Sequence, residues 1–249
     1  MNGLIKIYRG LRELKRRLWN PWTRWPPLGA VDLGDLRRLI PISKNYGFDR
    51  GAPIDRYYIE KFLQQNQKDI RGRVLEIGDP RYTRQFGGDR VTKSEVLHVD
   101  RHSPEITIIA DLAGAGPEQI PSDAFDCLIL TQTLQYIYEV RAAIATSYRI
   151  LRPGGVLLAT FPGISKIDIP SKRENWVDYW RFTRRAAERL FAEVFPPEKV
   201  VVQTHGNVLA AVGFLHGLAA GELRQEDLEY HDPEYEVVIT VRALKAMGA

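Results

Sequence analysis

Val74-Leu75-Glu76-Ile77-Gly78-Asp79, followed by Leu97-His98-Val99-Asp100, is the stretch on which the reading of this chain turns. A short apolar run ends in a glycine, and a second run ends in an acid 22 residues beyond that glycine. Ligands of an open α/β sheet sit beyond the carboxyl ends of its strands, so the residues just after each run matter most. A glycine there lets a ligand approach the backbone, and an acid about 20 residues later is placed to accept from both hydroxyls of a ribose.

Working outward, apolar runs recur at residues 74–77, 96–99, 107–110, 125–130, 156–161, 200–204 and 237–241. Several have continuous apolar character over three or four residues, as in strands buried on both faces. They predict an α/β fold: a Rossmann-like, seven-stranded, mostly parallel sheet with helices on both faces. Pro53 is expected at the first position of a helix through Ile54, Tyr57, Tyr58, Phe62 and Leu63. Thr183 is placed to cap another. Pro153-Gly154-Gly155 reads as a tight turn into the fifth strand.

The 249 residues, 44% apolar and 27% charged, suit one α/β domain with an extension. No run approaches the ~18 uncharged apolar residues of a membrane span. Cys127 is the only cysteine, which excludes an intramolecular disulfide and a zinc site built on several thiolates. It sits inside an apolar run and reads as a core residue of a protein in a reducing, cytoplasmic compartment.

The net charge of +4 is unevenly spread. Residues 1–25 carry seven Lys and Arg against Glu13 alone, whereas the other 224 residues hold 28 basic and 30 acidic side chains. The body is therefore close to neutral, and no nucleic-acid partner is indicated. Leu4, Ile7, Leu11, Leu14 and Leu18 recur at helical spacing, and Trp19, Trp22 and Trp25 follow. This basic amphipathic segment reads in two ways. It docks on its own domain with its charges in water, or it lies on an anionic membrane face or a partner protein. The interrupting charges speak against a secretory signal.

Further pieces sit at strand ends: Asp111-Leu112 after the third run, Thr131-Gln132-Thr133-Leu134-Gln135-Tyr136 after the fourth, and Leu151-Arg152-Pro153-Gly154-Gly155 before the fifth. With Val74–Gly78, Val99-Asp100 and 125–130, this ordered set resembles the class I S-adenosylmethionine-dependent methyltransferases over about residues 70–163. The resemblance implies S-adenosylmethionine as cofactor and a last strand running antiparallel. It implies Gly78 beside the methionine part, Asp100 on the ribose, Asp111 and Leu112 about the adenine, and Thr131 and Gln132 near the sulfonium. Glu76, Asp79, Tyr82 and Arg101 complete the expected cofactor set. In this chain Pro80 and Tyr82 stand where the family usually continues with glycines.

Methyl transfer chiefly requires positioning and exclusion of water; a base is needed only where the acceptor must lose a proton. His205, after the sixth strand, and His231, ahead of the seventh, are the expected bases, with turn-capping as the alternative for each. No close cluster of His and acids is apparent, so transfer is expected to need no metal. Two segments look like acceptor walls. One contributes Trp176, Tyr179, Trp180 and Arg181, or else a hydrophobic clamp on the following helix. The other contributes Arg50, Asp55, Arg56 and Tyr57 as lid contacts, and Tyr136 joins them. Asp178-Tyr179-Trp180-Arg181-Phe182-Thr183 and the 47–56 stretch are similar to a bacterial branch of the family linked to glycan or natural-product assembly.

The expected organisation is a basic helical extension over 1–27, lid helices over 28–69 and the catalytic core over 70–249. The expected activity is O-methylation of a hydroxylated small molecule or saccharide. N- or C-methylation, a non-methylating cyclase and a non-catalytic binding protein working through the N-terminal helix are the alternatives.

Overall fold

All seven expected strands form, in the order β3-β2-β1-β4-β5-β7-β6. They are β1 (Gly72–Ile77), β2 (Val91–His98), β3 (Ile108–Ile109), β4 (Phe125–Thr131), β5 (Leu151–Pro162), β6 (Val200–His205) and β7 (Val238–Leu244). Neighbours pair in parallel except β7, which runs antiparallel to both β5 and β6. The computed structural model describes residues 26, 30–169 and 176–247. The basic segment 1–25, with every expectation attached to it, lies outside the described residues. Among those described, no helix is long and apolar enough to cross a membrane.

Alternation along each strand divides the core between the two sheet faces. In β4 and β5, Leu128, Leu130, Leu157, Ala159 and Phe161 join one cluster with Ala143 and Ile144 of α2 (Val140–Ile150) and Phe191 of α3 (Arg184–Ala192). Cys127, Ile129, Val156 and Leu158 join the other, with α1 (Ile54–Gln65) and α4 (Val208–Leu215). Burial pushes the Cys127 thiol up, so it is core and no nucleophile. Ile54, Tyr58, Ile59, Phe62 and Leu63 fall on one stripe of α1, which makes that helix a layer of the domain.

Three local details position the site. Pro53 occupies the cap position of α1, one residue earlier than expected. Thr183 caps α3 by accepting from the Ala186 amide at 3.3 Å, as expected. Pro153-Gly154-Gly155 lies within β5 as an irregular stretch: Leu151 faces Phe125 while Val156 faces Cys127, and Gly154 takes a φ of +76°. Between β1 and β2 the chain makes only a π-type turn, Thr83–Gly87, and one 3-10 turn. The carboxyl ends of β1, β2, β4 and β5 therefore share one edge of the sheet with the start of β7, where Pro162 pairs with Val238.

Candidate active site

At the β1 end, Gly78 has a φ of +91°, and a side-chain carbon placed there would meet no atom within 4 Å. The left-handed conformation requires glycine, and the space over the turn is open. Asp100 follows β2 with its side chain 70% exposed. Its Oδ1 lies 2.8 Å from His102 Nδ1 and 3.0 Å from His98 Nδ1, and the His102 hydrogen bond holds its carboxyl below the usual range. An open glycine turn beside an exposed carboxylate fits a nucleoside carrying vicinal hydroxyls. Asp79 and Asp111, also exposed, close short turns by accepting from the amides of Arg81 and Ala113, each at 2.9 Å. Arg101 is exposed beside Asp100, and Thr131, half-buried, ends β4.

Three expected cofactor residues turn inward instead. The buried Glu76 accepts from the amides of Tyr82 at 3.1 Å and Thr83 at 2.7 Å, tying down the loop. Tyr82 stacks on Phe86 in the core, and Arg56 Nη1 donates to its hydroxyl at 3.4 Å. Leu112 is buried in the other core cluster. Tyr82, at one of the two positions where the resemblance implies a glycine, thus anchors the turn to the core.

Burial pushes Glu76 up to about 7, against the opposing pull of its two amide donors. The folded chain therefore holds this proton more tightly than the unfolded one, whose value lies near 4.5. The linked stability is complete below about pH 4.5 and is lost as pH rises through 7, a change of about 3 kcal/mol at most. Urea unfolding at pH 5 and pH 8 is expected to show the difference in wild type and a smaller one in Glu76→Gln. Equal wild-type stability at both values would mean that the amides keep the carboxylate ionised throughout.

A cavity of about 260 Å³ opens at the ends of β4 and β5. The loop ahead of α1 lines it with Asn45, Tyr46 and Phe48, and the first turn of α1 adds Asp55 and Arg56. Gln132, Gln135 and Tyr136 come from beyond β4, and Ser165 and Asp168 from beyond β5. Asp178, Arg181 and Phe214 complete the wall, with Val237 and Val238 at the start of β7.

The polar groups are held firmly. Arg181 grips Asp178 through two parallel bonds of 2.6 and 2.7 Å, and the Asp168 amide donates to the same carboxylate at 2.8 Å. The Tyr136 hydroxyl donates to Asp168 at 3.2 Å, and Trp176 packs edge-on to the Tyr136 ring. Gln132 has a φ of +50°, a conformation costly for a side-chain-bearing residue. Burial and the nearby carboxylates push Tyr46 and Tyr136 up, so both remain protonated hydrogen-bond donors. Burial also raises Asp55, whose neighbour Arg56 stands at 3.9 Å.

Among the residues expected to bind the acceptor, Asp55, Arg56, Tyr136 and Arg181 line this cavity, and Gln132 from the cofactor set joins them. Trp176 stands one layer behind. Tyr179 and Trp180 pack against Tyr138, and the Trp180 indole donates to the Ile137 carbonyl at 3.1 Å. The aromatic segment is therefore wall at Asp178 and Arg181 and clamp at Tyr179 and Trp180. Arg50 pairs with Glu222, and the Tyr57 hydroxyl bonds Glu229, both outside the cavity.

The two histidines are a correction. His205 reaches the expected end of the sheet, but its ring stacks on Tyr58 of α1 and bonds the Thr240 hydroxyl at 3.2 Å. Burial pushes it down to about 4. His231 bonds the Thr204 hydroxyl at 2.9 Å. Neither lines the cavity. The expected absence of a close cluster of His and acids also needs correcting, because His98, Asp100 and His102 converge after β2. Tyr46, Gln135 and Asp168 were not singled out from sequence. Asp168 lies just beyond the carboxyl end of β5, so the strand-end rule, applied there, would have found it.

Residues 82–159 match the family model described as a methyltransferase domain. No curated protein matches the chain. Similar solved structures include a SAM dependent methyltransferase from Archaeoglobus fulgidus, 8% identical over 76% of this chain and 94% of that one, with a TM-score of 0.51. The CurJ carbon methyltransferase is 12% identical over 81% of this chain and 57% of its own, with a TM-score of 0.50. The N-methyltransferase NodS of Bradyrhizobium japonicum WM9, solved with S-adenosyl-L-homocysteine, is 14% identical over 82% and 94%, with a TM-score of 0.48. At identities this low, the first two, with TM-scores of 0.51 and 0.50, speak for the fold alone.

Proposed function

We propose that this chain is a class I S-adenosylmethionine-dependent methyltransferase, a reading its fold and its methyltransferase-domain match support, and that it methylates an oxygen of a hydroxylated small molecule or saccharide held in the cavity beyond β4 and β5. One observation carries the reading. Of seven buried side-chain polar atoms without a partner among the described residues, five belong to residues lining this cavity. Three are donors, Arg56 Nε, Gln132 Nε2 and Arg181 Nε; two are acceptors, Asp55 Oδ1 and Gln135 Oε1. Each such group left unpaired costs about 1–3 kcal/mol. Hydroxyls, which both donate and accept, satisfy this mixture, and Tyr46, Phe48 and Phe214 supply apolar walls for a ring face.

S-adenosylmethionine supplies an activated methyl carbon when bound. Gly78, Asp79, Asp100, Arg101 and Asp111 at the strand ends are the residues that would hold it. The chain's own task is then to orient the acceptor, exclude water and take one proton. Asp55 is the base in this reading: its Oδ1 has no partner, and burial raises its proton affinity. Asp55 would take the proton of the acceptor hydroxyl, and S-adenosylhomocysteine would be the leaving group of the methyl that the bound cofactor would supply. Arg181 and Tyr136 fix the acceptor, and Asp178 and Asp168 fix them in turn.

Calorimetric titration with S-adenosylmethionine and S-adenosylhomocysteine, followed by a screen of hydroxylated acceptors, tests the proposal. Saturable binding and methyl incorporation into an alcohol support it; failure of both cofactors to bind ends it. His205→Ala is expected to leave turnover within about threefold of wild type while lowering Tm by a few degrees, since packing against Tyr58 is lost. A rate loss of a hundredfold with Tm unchanged would return His205 to the role of base.

A further inference from the structure

We propose that His98, Asp100 and His102 form a binding site for a divalent transition-metal ion, and that an ion held there competes with the cofactor for Asp100. The second half rests on the ribose assignment of Asp100; the first stands without it. β2 ends at His98, and the loop that follows brings Asp100 and His102 back beside it, so that donor atoms of all three lie within 4.8 Å of one another. No other group of three His, Cys, Asp or Glu side chains converges in this way among the described residues.

The donor set suits the metal. Two imidazole nitrogens and a carboxylate are ligands for zinc, copper or nickel. In the square-planar geometry of copper or nickel, metal–ligand bonds of about 2.1 Å place adjacent donors roughly 3.0 Å apart. Asp100 Oδ1 already stands 3.0 Å from His98 Nδ1 and 2.8 Å from His102 Nδ1. The Asp100 amide donates to His98 Nδ1 at 3.2 Å, and this long contact gives way when an ion takes the nitrogen's lone pair. The side chains are 30%, 70% and 55% exposed, which leaves a path for entry and open positions for water.

The test is calorimetric titration of the full chain, free of any affinity tag, with Ni2+. One equivalent is expected to bind in wild type, at least tenfold more weakly in His98→Ala and in His102→Ala, with folding checked by circular dichroism. Ni2+ is expected to raise the apparent Kd for S-adenosylhomocysteine in wild type and not in His102→Ala. Absence of saturable Ni2+ binding, or unchanged binding when both histidines are replaced, overturns the site. Histidine-dependent binding that leaves S-adenosylhomocysteine affinity untouched overturns the competition. The ribose assignment is read separately, from Asp100→Ala titrated without metal, so its failure is distinguishable from failure of the site.

Discussion

Replacing Asp100 by Ala is expected to weaken S-adenosylhomocysteine binding by about a hundredfold, as befits the loss of two hydrogen bonds from ribose hydroxyls to a charged acceptor. The residue is exposed and contributes nothing to the core, so the thermal transition is expected to stay where it is. Calorimetric titration reads the affinity and a melting curve reads the fold. Asp100→Asn separates charge from shape, since it keeps one acceptor oxygen and is expected to fall between wild type and Ala. Full affinity in Asp100→Ala would remove the ribose assignment and with it the resemblance-based orientation of the cofactor along the strand ends.

Asp55→Asn is expected to lower turnover on an identified acceptor by 10²–10³, the usual contribution of a positioned base. S-adenosylhomocysteine affinity should stay within about threefold. Because Asp55 is a buried carboxyl whose charged form is penalised, the neutral amide is expected to leave Tm unchanged or raise it. Loss of rate without loss of stability distinguishes a base from a structural group. The wild-type rate is expected to rise with pH as Asp55 ionises, and Asp55→Asn to lose that rising limb. If Asp55→Asn keeps its rate while Asp168→Asn loses it, the proton goes to Asp168, a cavity carboxylate that makes no ion pair among the described residues.

The sheet was legible because its information is local. Cys127-Leu128-Ile129-Leu130 is apolar at four successive positions, as a strand buried on both faces requires. The strand-end residues Gly78, Asp100, Asp111 and Gln132 followed from those runs, since a ligand edge is defined by where strands stop. Tyr82, expected in the cofactor set, turned inward. Its ring was placed by Phe86 and Arg56, the latter 26 residues earlier in the chain. His205 shows the limit most clearly. The end of the sheet on which it lies was right, but α1 covers that part of it, and no pattern near residue 205 records where Tyr58 comes to rest.

By itself, then, the sequence determined the seven strands, the burial of Cys127 and the sheet edge at which the cavity lies, because alternation and chain stiffness act over a few residues. Only the tertiary structure decided which side chains share the cavity. Asp55, Gln132, Asp168, Arg181 and Phe214 come from five separate segments. Their meeting depends on the strand order β3-β2-β1-β4-β5-β7-β6 and on helices packed across it. That order is set by the collective burial of two apolar faces, a free energy no single segment carries.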